Sequence, residues 1–130
     1  MMDKLKVLDI VARQMKERAG VLNSLVGKGA LGIEGWFRIE IYHALKLNGI
    51  DVHIQNKGPD LVFDDFSLEL KSAQMSPAGW VRRYGLKYPG VDCLFLGPSE
   101  LIESLKPDHY RRIYDNWVVG LITNGKLEMK

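Results

Sequence analysis

The hydrophobic pattern of this chain changes its period at Gly49, and this change strongly constrains the fold. Before Gly49, apolar residues recur every three or four positions over residues 34–48, which predicts an amphipathic helix that the glycine ends. After it, Ile50, Val52 and Ile54 alternate with polar residues, which predicts a half-buried strand. A chain that moves from a helical pattern to a strand pattern in this way is expected to be of the α/β class.

The remaining elements follow from the same periodicity. Apolar residues at helical spacing predict a first helix that ends near Gly20, and two acidic residues at 64–65 predict a tight turn between two short strands. Those strands are expected near 60–63 and 67–72, followed by a helix over 77–86, an apolar strand over 91–97, a helix over 99–105, and a strand pair at 117–123 and 126–129. Residues 108–117 read as helix-like.

Length and composition favour one soluble domain over residues 1–130. A chain of 130 residues with 46% hydrophobic residues can bury one core, and its formal charge of +2 attracts polyanions only weakly. Its apolar runs are shorter than the roughly 20 residues that cross a bilayer, and the first ten residues do not resemble a signal peptide. Cys93, a single cysteine in an apolar run, fits a reducing compartment. We therefore expect a cytoplasmic protein that does not contact a membrane.

The residues that indicate chemistry lie within 58–72. Asp60 follows a proline, and Glu69 and Lys71 stand nine and eleven positions later. If residues 64–65 form a two-residue hairpin loop, Asp60 faces Glu69 with Cβ atoms about 4.5–5.5 Å apart. Lys71 then shares the face of Glu69, whereas the leucines between and before them point into the core. A four-residue loop would change the partners but keep all three side chains on one face.

Two carboxylates that face each other in a sheet repel, so the arrangement requires a cation. Lys71 supplies one, and a divalent metal ion would supply more. Two carboxylates with open coordination positions suit Mg²⁺ or Mn²⁺, which keep bound waters and also bind phosphate oxygens. A lysine beside such an ion can orient or help deprotonate a water molecule. The pattern therefore favours phosphodiester hydrolysis.

With Pro59-Asp60 and Glu69-Leu70-Lys71, the chain resembles the PD-(D/E)xK nuclease superfamily, which includes restriction endonucleases and small archaeal Holliday-junction resolvases. The resemblance covers roughly residues 33–97. It implies a restriction-endonuclease-like core of helix, three strands, helix and strand, a central mixed sheet flanked by helices. An extra N-terminal helix and a C-terminal strand pair would be additions to it. By the same resemblance, Asp60, Glu69 and the backbone carbonyl of Leu70 bind the metal, and Lys71 is the catalytic lysine.

The family also carries a metal-binding glutamate on the helix before the hairpin, which here is Glu34 or Glu40. These residues are about 240° apart around a helix, so only one of them can face the site. Glu34 is favoured because it shares a side with Phe37 and Ile41. Glu40 is then available to pair with a lysine.

The resulting hypothesis is a Mg²⁺-dependent deoxyribonuclease that leaves a 5′-phosphate. So short a chain is expected to select branched DNA by shape, and two symmetric cuts would require a homodimer. Arg82, Arg83 and Lys87 are expected to contact DNA phosphates, and Arg111 with Arg112 are further candidates. The alternative hypothesis is a nucleic-acid-binding or inactive nuclease-fold subunit of a larger assembly.

Other motifs are given less weight. Pro107-Asp108 with residues 128–130 repeats the PD and ExK letters, but a chain terminus does not position a catalyst. The three histidines and Cys93 lack zinc-ligand spacing. The GKG of residues 27–29 lacks the Walker pattern, so no nucleotide cofactor is expected.

Overall fold

The computed structural model describes residues 3–26, 33–55, 59–72, 91–104 and 106–122. Its helices are α1 (Lys4–Glu17), α2 (Ala19–Val26), α3 (Ile33–Leu47) and α4 (Ser99–Ser104). Its strands are β1 (His53–Ile54), β2 (Leu61–Val62), β3 (Ser67–Ser72), β4 (Asp92–Pro98), β5 (His109–Tyr114) and β6 (Trp117–Ile122). The fold is therefore of the α/β class, as the periodicity predicts. None of the helices in the described ranges is long and apolar enough to cross a membrane.

One mixed sheet contains the six strands of the described ranges in the order β1-β2-β3-β4-β6-β5. Strands β3 and β4 are parallel, and every other neighbouring pair is antiparallel. A parallel pair needs a crossover connection of about a dozen residues or more, commonly a helix. The chain between β3 and β4 is long enough for one, and the helix predicted over 77–86 lies outside the described residues.

Helix α3 ends as its sequence predicts. Gly49 has a φ of +72°, which a residue without a Cβ adopts at little cost. Its amide donates to the carbonyl of Lys46, and the amide of Ile50 donates to the carbonyl of Leu45, both at 3.0 Å. These two bonds form a Schellman motif, which satisfies the last helical carbonyls and turns the chain toward β1.

The N-terminal helix is also confirmed, but it ends earlier than expected. Asp3 caps it by accepting a hydrogen bond of 3.0 Å from the amide of Leu5. Helix α1 ends at Glu17, and α2 begins at Ala19, so Gly20 lies inside a second helix rather than after the first.

The sheet has an apolar cluster on each face. Helices α1 and α3 cover one face, where they pack on alternate residues of β3, β4 and β6: Leu68, Leu70, Leu94, Leu96, Val119 and Leu121. The other face carries a smaller cluster, to which α4 contributes Ile102, together with Cys93, Phe95, Val118 and Ile122. Cys93 is buried, as its apolar surroundings predict.

Gly120 brings α4 close to this second face. A Cβ at that position would lie 2.8 Å from Cγ2 of Ile102 and 3.3 Å from Cβ of Pro107. Both distances are shorter than ordinary contacts between carbon atoms. Only glycine therefore allows the helix to lie this near the sheet.

The helix-like reading of residues 108–117 is wrong, because most of this segment is β5. Strand β6 pairs with β5 across a turn at Asp115 and Asn116, where Asp115 has a φ of +48°. Asp and Asn tolerate such turn conformations, which is why the chain reverses here. The expected partner of β6 at residues 126–129 lies outside the described residues. Strand β1 is also shorter than predicted, since only His53–Ile54 pair with β2.

Candidate active site

The hairpin of β2 and β3 has the predicted register. Leu61 pairs with Leu68, and the amide of Phe63 donates to the carbonyl of Phe66 at 2.9 Å. Residues 64–65 are therefore the two loop residues, and the rings of the two phenylalanines stack with centroids 4.5 Å apart. Because this loop length sets the strand register, it also sets which side chains of β3 share a face.

Glu69 and Lys71 lie on the face predicted for them. They pair in register with Cys93 and Phe95 of the second apolar cluster. Their exposed fractions are only 8% and 5%. The Nζ atom of Lys71 is 3.5 Å from Oε1 of Glu69, so the two form a buried ion pair. In that environment the charges interact more strongly than at the surface.

Asp60 lies one residue before β2 and extends the pairing between β1 and β2. Its carbonyl accepts a bond of 3.3 Å from the amide of Gln55. Its carboxylate Oδ2 accepts a bond of 2.8 Å from the amide of Leu70. A regular continuation of the β2–β3 ladder would pair that amide with the carbonyl of residue 59. A side-chain carboxylate therefore takes the place of a backbone acceptor, and it lies beside the residue between Glu69 and Lys71.

The backbone of Leu70 brings a further oxygen to this place. In an antiparallel ladder, the N–H and C=O of one residue point to the same side of the strand. Since the amide of Leu70 points to Asp60, its carbonyl also lies on the β2 side of β3. The carbonyl that the family resemblance implies as a metal ligand is thus on the same side of the strand as the Asp60 carboxylate.

Arg38 of α3 also reaches Asp60. Its Nε atom is 3.3 Å from Oδ1 of the carboxylate, and its guanidinium donates a hydrogen bond to the carbonyl of Gln55. Arg38, Asp60, Glu69 and Lys71 are called the charge cluster below. Two positive and two negative side chains make its formal charge zero.

The sequence motif does not include Arg38. A signal was nevertheless present, because Arg38 precedes Ile41 by three residues and Leu45 by seven. Residues at these spacings share one side of a helix, and both apolar residues are fully buried. A basic residue beside a buried apolar stripe predicts an acidic or carbonyl partner nearby.

The two candidate helix glutamates differ. The Oε2 atom of Glu40 is 2.6 Å from Nε2 of Gln14 and 3.4 Å from Nε of Arg18. Glu40 therefore belongs to the contact between α1 and α3 and not to the charge cluster. Glu34 lies in the first turn of α3, but its side chain is outside the described part of the structure, as are Arg82, Arg83 and Lys87.

The donor set of the charge cluster suits a hard cation. Two carboxylates and a backbone carbonyl are the kinds of oxygen ligand that Mg²⁺ binds. Among the described side chains, no group of three acidic, histidine or cysteine residues is close enough to hold a metal. A complete ligand set therefore requires Glu34, waters or substrate oxygens in addition to Asp60, Glu69 and Leu70.

Comparison of the chain with protein-family models, with curated proteins and with solved structures gives no match.

Proposed function

We propose that this protein is a Mg²⁺-dependent nuclease that hydrolyses DNA phosphodiester bonds at the charge cluster. The observation that carries the proposal is the hydrogen bond from the amide of Leu70 to the carboxylate of Asp60. It joins the two halves of the PD and ExK pattern, which are nine residues apart in sequence between Asp60 and Glu69. It puts the carboxylate of Asp60 beside the backbone of the residue between Glu69 and Lys71, which supports a shared role for the three residues.

The order and direction of the strands support a restriction-endonuclease-like core. Helix α3 is followed by the antiparallel strands β1, β2 and β3, and then by β4 parallel to β3. This is the succession of helix, three strands and a further strand that the resemblance implies. The crossover between β3 and β4 is the place at which that core would have its second helix.

Asp60, Glu69, the carbonyl of Leu70 and Glu34 would hold the Mg²⁺ or Mn²⁺ ion. A bound ion of this kind makes a coordinated water a stronger nucleophile and neutralises charge on the phosphate. The acids need a fixed geometry for this purpose. Asp60 obtains it from two contacts, the Leu70 amide and Arg38.

Lys71 would act on the attacking water and on the reacting phosphate. Its Nζ atom is buried and lies beside Glu69, so it is a positive charge in a largely desolvated place. Such a group orients a water through its hydrogen bonds and stabilises negative charge that develops on phosphate oxygens. Arg38 has a positioning role, because it contacts the carboxylate of Asp60.

The substrate and assembly remain predictions. The protein is expected to read DNA through its backbone and shape, which suits branched substrates such as junctions and flaps. Paired symmetric cuts would require a homodimer. Arg82, Arg83 and Lys87 are the expected phosphate contacts near the site.

The balanced charge of the cluster favours a second candidate function. Arg38 and Lys71 already lie beside the two carboxylates, so the fold can keep these acids without a metal ion. A protein of this kind would bind nucleic acid within a larger assembly and would not cut it. Its DNA binding would be the same in chelator and in Mn²⁺.

The deciding experiment is a cleavage assay. Four-way junction, flap, duplex and single-stranded DNA are incubated with Mg²⁺, with Mn²⁺ and with chelator. Wild type is expected to cut at least one substrate only with metal, and Lys71→Ala and Asp60→Asn are expected to abolish cutting. Lys46→Ala, which removes an exposed lysine near the end of α3, is the control and should cut normally. Cleavage that survives both site variants overturns the proposed site, and DNA binding without cleavage supports the second candidate.

A further inference from the structure

A basic groove lies between α1 and β5, away from the charge cluster. It has a volume of about 470 Å³. Its lining consists of Asp9, Ala12, Arg13, Lys16, Arg111 and Arg112. Four cationic side chains and one carboxylate give it a formal charge of +3, which exceeds the +2 of the whole chain. The lining of this groove is therefore strongly basic.

The two arginines from β5 are held in place. Nε of Arg111 donates to Oδ1 of Asp9 at 2.8 Å, and its Nη1 donates to the carbonyl of Tyr110 at 2.9 Å. Nη1 of Arg112 donates to the carbonyl of Asp115 at 2.9 Å. An arginine has five N–H donors, so each guanidinium has more donors than these bonds use. Such held guanidinium groups lose little entropy when they bind an anion.

The other wall of the groove is also basic. Arg13 and Lys16 are three residues apart on α1, so they lie on the same side of the helix. Both are exposed. Within the described ranges, neither forms an ion pair. Their charges are therefore directed at solvent and at whatever enters the groove.

We propose that this groove binds phosphate groups of a nucleic-acid backbone, as a contact separate from the charge cluster. The inference rests on the proposed function, since the groove would hold the DNA that the nuclease cleaves. Guanidinium groups match phosphate oxygens with two parallel hydrogen bonds, and a lysine adds a point charge. A groove with this composition selects phosphates by charge and geometry and is indifferent to base sequence.

The groove and the ion pair of Glu69 and Lys71 lie on opposite faces of the sheet. Lys71, Phe95, Gly120 and Tyr110 are register partners across β3, β4, β6 and β5, so Tyr110 shares the face of Lys71. Arg111 is the next residue along β5 and bonds to Asp9 of α1, which covers the other face. The groove is therefore a contact separate from the buried pair of the charge cluster.

The test is DNA binding in chelator, where cleavage cannot interfere. A fluorescent duplex is titrated with wild type, with Arg13→Ala/Lys16→Ala, and with Lys6→Ala/Lys46→Ala, a control that removes the same charge from α1 and α3 outside the groove. Affinity is measured over a range of salt concentrations. If each groove residue contacts one phosphate, the groove variant should lower the slope of log affinity against log salt by about 1.8 in magnitude. The control should leave that slope unchanged.

The outcomes distinguish the phosphate-binding groove from the proposed nuclease activity. If wild type binds and cuts DNA but the groove variant binds like the control, the groove inference is overturned and the nuclease stands. If binding depends on Arg13 and Lys16 but no metal supports cutting, the groove stands and hydrolysis is overturned. Competition by polyglutamate as strong as that by DNA of equal charge, or wild type that does not bind DNA at low salt, would overturn a phosphate site.

Discussion

The β2–β3 and β5–β6 hairpins reverse the chain in a similar way but use their charged residues differently. Each has a two-residue turn rich in acid or amide side chains, 64–65 in one and 115–116 in the other. The first hairpin buries its charges, with Glu69 and Lys71 at 8% and 5% exposure. The second directs Arg111 and Arg112 into an open groove. Buried charges are tightly constrained by their partners, whereas exposed charges are available to a ligand and matter little to stability.

The largest loss of stability is expected when the buried ion pair of Glu69 and Lys71 is broken. Lys71→Met removes the ammonium group beside Glu69, and an uncompensated buried charge costs about 3–5 kcal/mol of unfolding free energy. Glu69→Leu/Lys71→Met removes both charges and should be less destabilised than Lys71→Met alone. Urea unfolding of the two single variants and the double variant measures the coupling.

Arg112→Met in the second hairpin is the matched control for that cycle. Its side chain is exposed, so its loss should change the unfolding free energy by less than about 1 kcal/mol. The buried and exposed charges would not differ in importance if Lys71→Met and Arg112→Met lowered the unfolding free energy equally, or if the effects at Glu69 and Lys71 were additive.

A smaller effect is expected at Asp60. Asp60→Ala removes the acceptor of the Leu70 amide and should cost about 1–3 kcal/mol. Asp60→Asn keeps an oxygen that can accept this bond, so it should cost less stability while losing the carboxylate proposed to bind metal. Amide hydrogen exchange of Leu70 separates the two, since only the alanine variant should expose that amide. Equal exchange in both variants would show that the carboxylate does not close the ladder.

The groove ion pair is expected to matter less still. Asp9 and Arg111 form a bond of 2.8 Å between partly exposed side chains. Asp9→Asn should therefore change the unfolding free energy by roughly 0.2–1 kcal/mol, and high salt should reduce the difference. The same variant removes the carboxylate of the groove and should strengthen DNA binding. Weaker binding would mean that Asp9 is needed to hold Arg111.

The smallest effect concerns Tyr114, next to the turn of the second hairpin. Burial, with a smaller contribution from Asp115, raises the pKa of its hydroxyl above 10.0. Below pH 10 the hydroxyl is protonated in both states, and above it the unfolded chain loses the proton first. Unfolding free energy should thus fall as the pH rises above 10, and fall less in Tyr114→Phe. Parallel pH curves for the two proteins would rule out this shift.

The same contrast explains what the sequence could predict. In the first hairpin, alternating leucines and charges fix the parity of β3, and the two aspartates fix its turn, so the register of 61–68 follows from local pattern alone. In the second, Tyr110, Ile113 and Trp117 recur at three and four residues and imitate a helix. The strand forms because β6 supplies an antiparallel partner, and that is tertiary information.

The set of residues in the candidate site also depends on tertiary contacts that a local pattern does not contain. The motif alone locates Asp60, Glu69 and Lys71 within one hairpin. Arg38 comes from a helix 22 residues before Asp60, and its role depends on how α3 packs on the sheet. The contacts of Glu40 with Gln14 and Arg18 likewise depend on how α1 packs against α3, so the sequence alone does not separate Glu40 from Glu34.

Gly120 connects the packing around the buried lysine of β3 to a position two strands away. It pairs with Phe95, which pairs with Lys71, and α4 lies directly over it. A methyl group there has no room unless Ile102 moves, and Ile102 belongs to the same buried cluster as Phe95. Gly120→Ala would thus disturb the apolar cluster on the face that Lys71 shares.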